Sequence, residues 1–262
     1  EASPGSDGSG RSVLGRRISP GGSPEGQEFQ INITTAGDQT GPTVATGPAG
    51  AAGAVVVFTD AGGEAPRVLA RRLEVGGGGA GAEFEVGPAA VGAAPSPAVT
   101  PRPGGGFLVV WRLGDGLEGR FLTATGAPDG PPFPIQDQGL AAAPREPAAA
   151  AVGDVGFAVV WTAFGAGSAG NDADDAVVGQ LLGPEGRTLG GRFQVNATTS
   201  DTQYRPQIAA GAGADFVVAW TARGIAGDPD YAVVSRLLSA EGPLFADGFE
   251  SGDTGAWTAL VD

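Results

Sequence analysis

Two acidic clusters offer the most concrete chemistry in this chain. Asn171-Asp172-Ala173-Asp174-Asp175 and Asp228-Pro229-Asp230 gather side-chain oxygens within a few residues. Oxygen ligands at such density suit Ca2+, which takes about six to eight of them in relaxed geometry. Asp172, Asp174, Asp175, Asp228 and Asp230 are the candidate metal ligands, and Ca2+ is the one cofactor they suggest. The spacing is not that of an EF-hand, which needs a Gly and a closing Glu at fixed loop positions. A solvated polar turn explains the same residues without an ion.

Other groups that could do chemistry have simpler readings. Arg16, Arg71, Arg120 and Arg236 recur at matching places, with Gln180 in the remaining copy. A ring of guanidinium groups could hold an acidic ligand at a central channel. Pairing with Asp and Glu, or covering apolar surface with their stems, is the favoured expectation. Asn32-Ile33-Thr34 and Asn196-Ala197-Thr198 match the N-glycosylation acceptor. Both fall at one repeat position, so a turn role for Asn explains them equally. Gly76-Gly77-Gly78-Gly79 lacks the Lys-Ser/Thr of a phosphate loop and reads as a hairpin connection.

Composition removes whole classes of function. The 262 residues contain no Cys and no His. That excludes a thiolate nucleophile, a Cys-zinc site and the commonest general base. No nucleophile motif surrounds any Ser. The 15 basic residues are all Arg, and 29 acidic residues leave a net charge of −14. Phosphate neutralisation needs the opposite sign, so a nucleic-acid partner is not expected. No apolar run is long enough for a transmembrane helix, so no membrane insertion is expected.

The elements that position these residues are repeated. Phe29-Gln30-Ile31-Asn32, Phe84-Glu85-Val86, Phe133-Pro134-Ile135-Gln136 and Phe193-Gln194-Val195-Asn196 mark four copies, 55, 49 and 60 residues apart. Val55-Val56-Val57-Phe58, Leu108-Val109-Val110-Trp111, Ala158-Val159-Val160-Trp161 and Val217-Val218-Ala219-Trp220 keep step with them. Between the two landmarks lies a Pro-led strand such as Pro206-Gln207-Ile208-Ala209-Ala210. A fourth strand follows, Val233-Val234-Ser235-Arg236-Leu237-Leu238, with a Gly-bearing turn after it. Helical spacing is absent. Four short strands per copy, at this period, predict an all-β, β-propeller-like array of four antiparallel units, as an incomplete ring; a β-solenoid or stacked sheet array is the alternative. Trp111, Trp161 and Trp220 are expected in the core.

The expected organisation is a disordered segment at 1–11, a repeat domain at 12–245 and a tail at 246–262. The units run approximately 28–82, 83–132, 133–192 and 193–245, after a partial unit at 12–27. Val13-Leu14-Gly15-Arg16-Arg17-Ile18 copies Val68-Leu69-Ala70-Arg71-Arg72-Leu73, so the chain starts partway through a repeat, and upstream repeats are expected.

The pattern Phe-x-Val-Asn, Pro-x-Val-Ala, Gly-x-Phe-Val-Val-x-Trp resembles a tandem repeat of secreted and surface proteins of bacteria. It is best kept in 193–238 and 28–73. Asp247-Gly248-Phe249-Glu250 with Trp257 resembles a short C-terminal tail of exported bacterial proteins. The resemblance implies a secreted or cell-surface bacterial protein with a propeller-like fold, and carries no catalytic residues over. The tail from about Ser251 is expected to be peripheral, an export or sorting signal.

The expected function is a non-catalytic binding or structural scaffold, not an enzyme, with an unknown glycan or protein at its loop faces. It is expected as a monomer or as part of a longer repeat chain. The alternative is a carboxylate-based glycosidase or polysaccharide lyase on a propeller, marked by two convergent carboxylates.

Overall fold

The computed structural model describes residues 2–4, 7–47, 53–74, 79–90, 95–136, 144–164, 175–198, 202–211, 213–223 and 230–240. Every regular element among them is a strand. The tail, the Gly76–Gly79 connection and much of the acidic loops lie outside the described residues.

Eighteen strands form five antiparallel sheets, each a simple meander. The first sheet holds β1 (Ala2–Pro4), β2 (Arg11–Ile18) and β3 (Pro24–Gln30). The second holds β4 (Gln39–Thr46), β5 (Ala54–Asp60), β6 (Arg67–Leu73) and β7 (Gly79–Pro88). The third holds β8 (Ala98–Pro101), β9 (Phe107–Leu113), β10 (Gly116–Leu122) and β11 (Pro128–Gln136). The fourth holds β12 (Pro144–Val152), β13 (Gly156–Phe164), β14 (Asp175–Leu182) and β15 (Thr188–Gln194). The fifth holds β16 (Gln203–Ala210), β17 (Asp215–Arg223) and β18 (Tyr231–Ser239).

The fold is the all-β, propeller-like array read from the repeat, with two differences. There are five sheets, not four, because the partial unit builds one of its own. The phase is also shifted by one strand. Phe29, Phe84, Phe133 and Phe193 lie on β3, β7, β11 and β15, the strands that close each sheet. Each sheet opens on the Pro-led strand instead. Ala2–Pro4 pairs with β2 at Ala2↔Val13, where composition alone points to no order.

The core lies between sheets. Phe58 and Val56 pack on Val13 and Ile31 of the sheet before. Phe107, Val109 and Trp111 pack on Val55, Val57 and Val68. Phe157, Val159 and Trp161 pack on Leu108, Val110 and Leu117. Phe216, Val218 and Trp220 pack on Ala158, Val160 and Val177. A strand between two neighbours must be apolar on both faces, which explains the continuous runs on β5, β9 and β13. The strand before each closing strand leaves room for the closing Phe ring. A Cβ on Gly179 would lie 2.6 Å from the Phe193 ring, and one on Gly119 would lie 2.7 Å from Phe133.

The Asn of the closing motif completes the hydrogen bonding beyond the ladder. Asn32 Oδ1 accepts from Val13 N at 2.9 Å, and Asn196 Oδ1 from Val177 N at 2.8 Å. Their amide nitrogens donate to Thr34 O and Thr198 O. Both side chains are buried, so neither amide is open to a glycan.

Each core Trp also needs an acceptor for its N–H. Trp111 donates to Pro88 O at 3.0 Å, and Trp220 to Gln203 Oε1 at 2.9 Å. Trp161 finds none among the described residues, because Pro144 takes the register place of Gln203. Gln203→Leu should leave Trp220 equally unsatisfied. The expected cost is about 1–3 kcal/mol, read as a lower thermal midpoint by about 2–4 °C per kcal/mol.

Candidate functional site

The strands that open the sheets, β4, β8, β12 and β16, pack side by side in order. Each begins at an X-Pro step: Gly41-Pro42, Ser96-Pro97, Glu146-Pro147 and Arg205-Pro206. The residue before each Pro has positive φ: 60°, 43°, 51° and 55°. Ser96, Glu146 and Arg205 are the only non-glycine residues with positive φ among the described ones. A left-handed residue costs about 1–2 kcal/mol without glycine, and the following Pro restricts it further. The register shows the cause. The ladder slips between Thr40 and Thr43, Arg145 and Ala148, and Tyr204 and Gln207, so a bulge sits at each step. Bulges re-aim side chains, and strain at a repeated place marks a site that the surroundings must hold.

In the fourth and fifth sheets the bulges carry charge. Arg205 N, freed by its bulge, donates to Glu146 Oε2 and to Thr162 Oγ1, each at 3.1 Å. Thr162 Oγ1 donates to Glu146 Oε2 at 3.2 Å. Arg205 Nε donates to Glu146 Oε1 at 3.3 Å. Both carboxylate oxygens of Glu146 are therefore engaged, and three donors fix its orientation. Next to it, Arg145 pairs with Asp175 Oδ2 at 3.7 Å. The Arg205 guanidinium lies 5.5 Å from the centre of the Tyr204 ring. Tyr204 meets Tyr231 edge to face at 6.1 Å, and Tyr231 is exposed. Two carboxylates, two guanidinium groups and two tyrosine rings thus share one end of these sheets.

The sequence found part of this end. Of the candidate Ca2+ ligands, Asp175 opens β14 and faces Arg145, and Asp230 directly precedes β18. Asp172, Asp174 and Asp228 lie outside the described residues. Among the described residues no group of three or more acidic side chains is placed to hold a metal ion. Glu146 and Arg205 were missed. The recurring residue before Pro was the available signal, since only a bulge explains a charged residue there.

At the matching end of the second sheet the polar groups close on themselves. Gln39 Nε2 donates to Asp60 Oδ1 at 3.1 Å, and Arg67 Nε to Asp60 Oδ2 at 2.9 Å. Arg67 also reaches Glu85 at 3.4 Å. The hydrogen bond from Asp60 holds the Arg67 guanidinium above its ordinary value. Asp60 is almost wholly covered, so this cluster is structural.

The repeated arginines do not form an acidic-ligand ring. Arg71 NH1 donates to Ile31 O of the sheet before it. Arg120 NH1 donates to Val86 O at 2.7 Å, and Arg236 NH1 to Val195 O at 3.0 Å. The three acceptors hold the same place in the closing motif. Each arginine is a clasp between neighbouring sheets, which corrects the expectation that it pairs with Asp or Glu. Burial pushes the Arg236 guanidinium below its ordinary value. Gln180 instead bonds within its own sheet, to Leu189 O at 3.0 Å.

Glu118 is the odd residue of the repeat. It lies opposite Trp111 on β10. Leu69 and Val234 hold that register place opposite Phe58 and Trp220, and Val178 holds it opposite Trp161. Burial raises its carboxyl above the ordinary value.

No family model matches the chain, and no curated protein does. Solved structures do. A thermostable family-43 glycoside hydrolase is similar at 10% identity with a TM-score of 0.48, over 78% of this chain and 73% of that one. A glycosyl hydrolase from Bacteroides ovatus is similar at 10% identity and a TM-score of 0.46, over 89% of this chain and 76% of that one. An endo-arabinase from Bacteroides thetaiotaomicron is similar at 11% identity and a TM-score of 0.44, over 78% and 76%. The likeness is one of fold. The similar structures are mainly glycoside hydrolases, which runs against the expectation of a non-catalytic scaffold that is not an enzyme. That expectation is corrected in favour of its carboxylate-based alternative. Its error was physical: absence of His and Cys removes triads, but glycoside cleavage needs only Asp and Glu.

Glu118→Leu restores the residue type of the other sheets. Below the ordinary carboxyl range, Glu118 is protonated whether the chain is folded or not. As pH rises, the unfolded chain loses this proton first, so wild-type stability falls until the raised folded value is passed. The gain in thermal midpoint from Glu118→Leu should therefore be larger at pH 7 than at pH 4. An equal gain at both would contradict the burial of this carboxyl.

Proposed function

We propose that this chain cleaves glycosidic bonds with a pair of carboxyl groups, Glu146 and Asp175, at the end of the fourth and fifth sheets. The observation that carries the reading is Glu146. Its backbone is held left-handed before a proline, and three donors aim its carboxylate. In this chemistry one carboxyl protonates the leaving oxygen, while a carboxylate faces the anomeric carbon or the attacking water. Glu146 takes the carboxylate role, since every contact drawn above delivers a proton donor to its oxygens. Asp175, across the sheet on β14, takes the acid role. Arg145 and Arg205 hold the two groups in place. Tyr204 and Tyr231 offer apolar ring faces with polar tips, the side-chain type that suits a sugar ring.

The substrate class is the one printed for the similar structures, and a pectic glycan complex is among them. Arabinan, xylan and pectic oligosaccharides are the substrates to try first. The proposed setting is the outside of a bacterial cell, where such polymers are met.

Purified protein should release reducing sugar from at least one of these polymers. Glu146→Gln keeps an oxygen for Arg205 and Thr162 but removes the charge, and should lower kcat/KM about 100-fold to 10,000-fold, with the circular dichroism spectrum unchanged. Full activity in Glu146→Gln, or no release from any of the polymers, would contradict the proposal.

A further inference from the structure

The two ends of the array carry the two halves of its internal interface. On the fifth sheet, Val217, Val233 and Leu237 are 39%, 82% and 71% exposed. The register gives each a counterpart in the fourth sheet: Ala158, Val177 and Leu181. Those three are at most 5% exposed, because Phe216, Val218 and Trp220 lie on them. In the third sheet Leu108, Leu117 and Phe121 are likewise covered by Phe157, Val159 and Trp161. The open face of the fifth sheet is thus a sheet-receiving face with no sheet on it among the described residues.

The first sheet has the opposite deficit. Leu14 and Ile18 match Leu69 and Leu73, Val178 and Leu182, and Val234 and Leu238, which face the sheet before. Ile18 is 58% exposed, whereas Leu182 is fully buried. Arg16 matches the clasps Arg71, Arg120 and Arg236. Arg120 donates twice, to Gly130 O in its own sheet and to Val86 O across the interface. Arg16 makes the own-sheet bond alone among the described residues, to Gly26 O at 3.2 Å. Its remaining N–H groups point to no preceding sheet.

We propose that a second copy of this chain fills the gap. Its fifth sheet would receive the first sheet of its neighbour, with Val217, Val233 and Leu237 under Leu14 and Ile18, and with Arg16 clasping a main-chain carbonyl. The occupant is argued from the chain itself. Both halves are present on one molecule, at opposite ends, and the same contact recurs at each interface within the array. Such an association is heterologous, so it closes into a ring or continues as a filament. A single unrelated partner would account for one open face but not for the unused clasp on the other.

Sedimentation velocity from about 1 μM to about 100 μM should show assemblies of the full chain that grow with concentration. The double substitution Val233→Asp with Leu237→Asp blocks one end, and Arg16→Glu with Ile18→Asp blocks the other. All four side chains are exposed, so circular dichroism should stay that of the wild type. Each variant alone should be a monomer. Mixed in equal amounts, they should form a dimer and nothing larger, because one intact face remains on each. A wild-type monomer throughout the range, or no dimer in the mixture, would overturn the proposal. A dimer from either variant alone would overturn it too, since that requires a different surface.

Discussion

The burial of one sheet's aromatic-ended strand on the face of the sheet before it is the interaction on which this structure depends. A single sheet of three or four short strands cannot hold itself together in water. Stacking supplies what it lacks. Each interior sheet gives an aromatic row to one neighbour and receives one from the other, so its middle strands are apolar throughout. Stability is then close to a sum of sheet and interface contributions, as in repeat proteins generally. The terminal sheets, covered on one side only, show alternation: β17 is buried at Phe216, Val218 and Trp220, and more open at the residues between.

Polar groups are arranged around that apolar stack. The arginine clasps reach from one sheet to a carbonyl on the closing strand of the one before. The closing Asn fixes the end of that strand by bonding a backbone N–H on its neighbour. The opening strands bear a bulge before each Pro, and at two of these the extra residue is charged. Scaffold and candidate site therefore come from one repeated element. Where the bulge holds Gly41 it only turns the chain, and where it holds Glu146 and Arg205 it aims a carboxylate. Asp60 shows the contrast, since its oxygens are taken up by Gln39 and Arg67 within a covered end.

The sequence made the stack legible and hid the site. Val55 to Phe58 and its three counterparts read as doubly covered strands, and they are. The phase of the repeat was not legible, because Phe-x-Val-Asn alternates in the same way whether it opens or closes a sheet. The fifth sheet was missed because its defining strand, β2, lacks the aromatic row that marks the others. Glu146 and Arg205 were invisible to alternation, since a bulge breaks the count of two. Glu118 reads as an ordinary outward residue, and only alignment with Leu69, Val178 and Val234 exposes its setting. The absence of His and Cys was weighted too heavily against catalysis, although 29 carboxyl groups remained.

Native-state hydrogen exchange resolved by strand tests the stacking account most directly. Opening energies should follow coverage between sheets. Amides of β5, β9 and β13, buried on both faces, should exchange slowest and close to the global rate. Those of β2 and β18 should exchange fastest among strands of similar length, under conditions where the chain is monomeric. Protection that is uniform across the five sheets, or highest in β18, would contradict the claim that the interfaces between sheets hold the fold together.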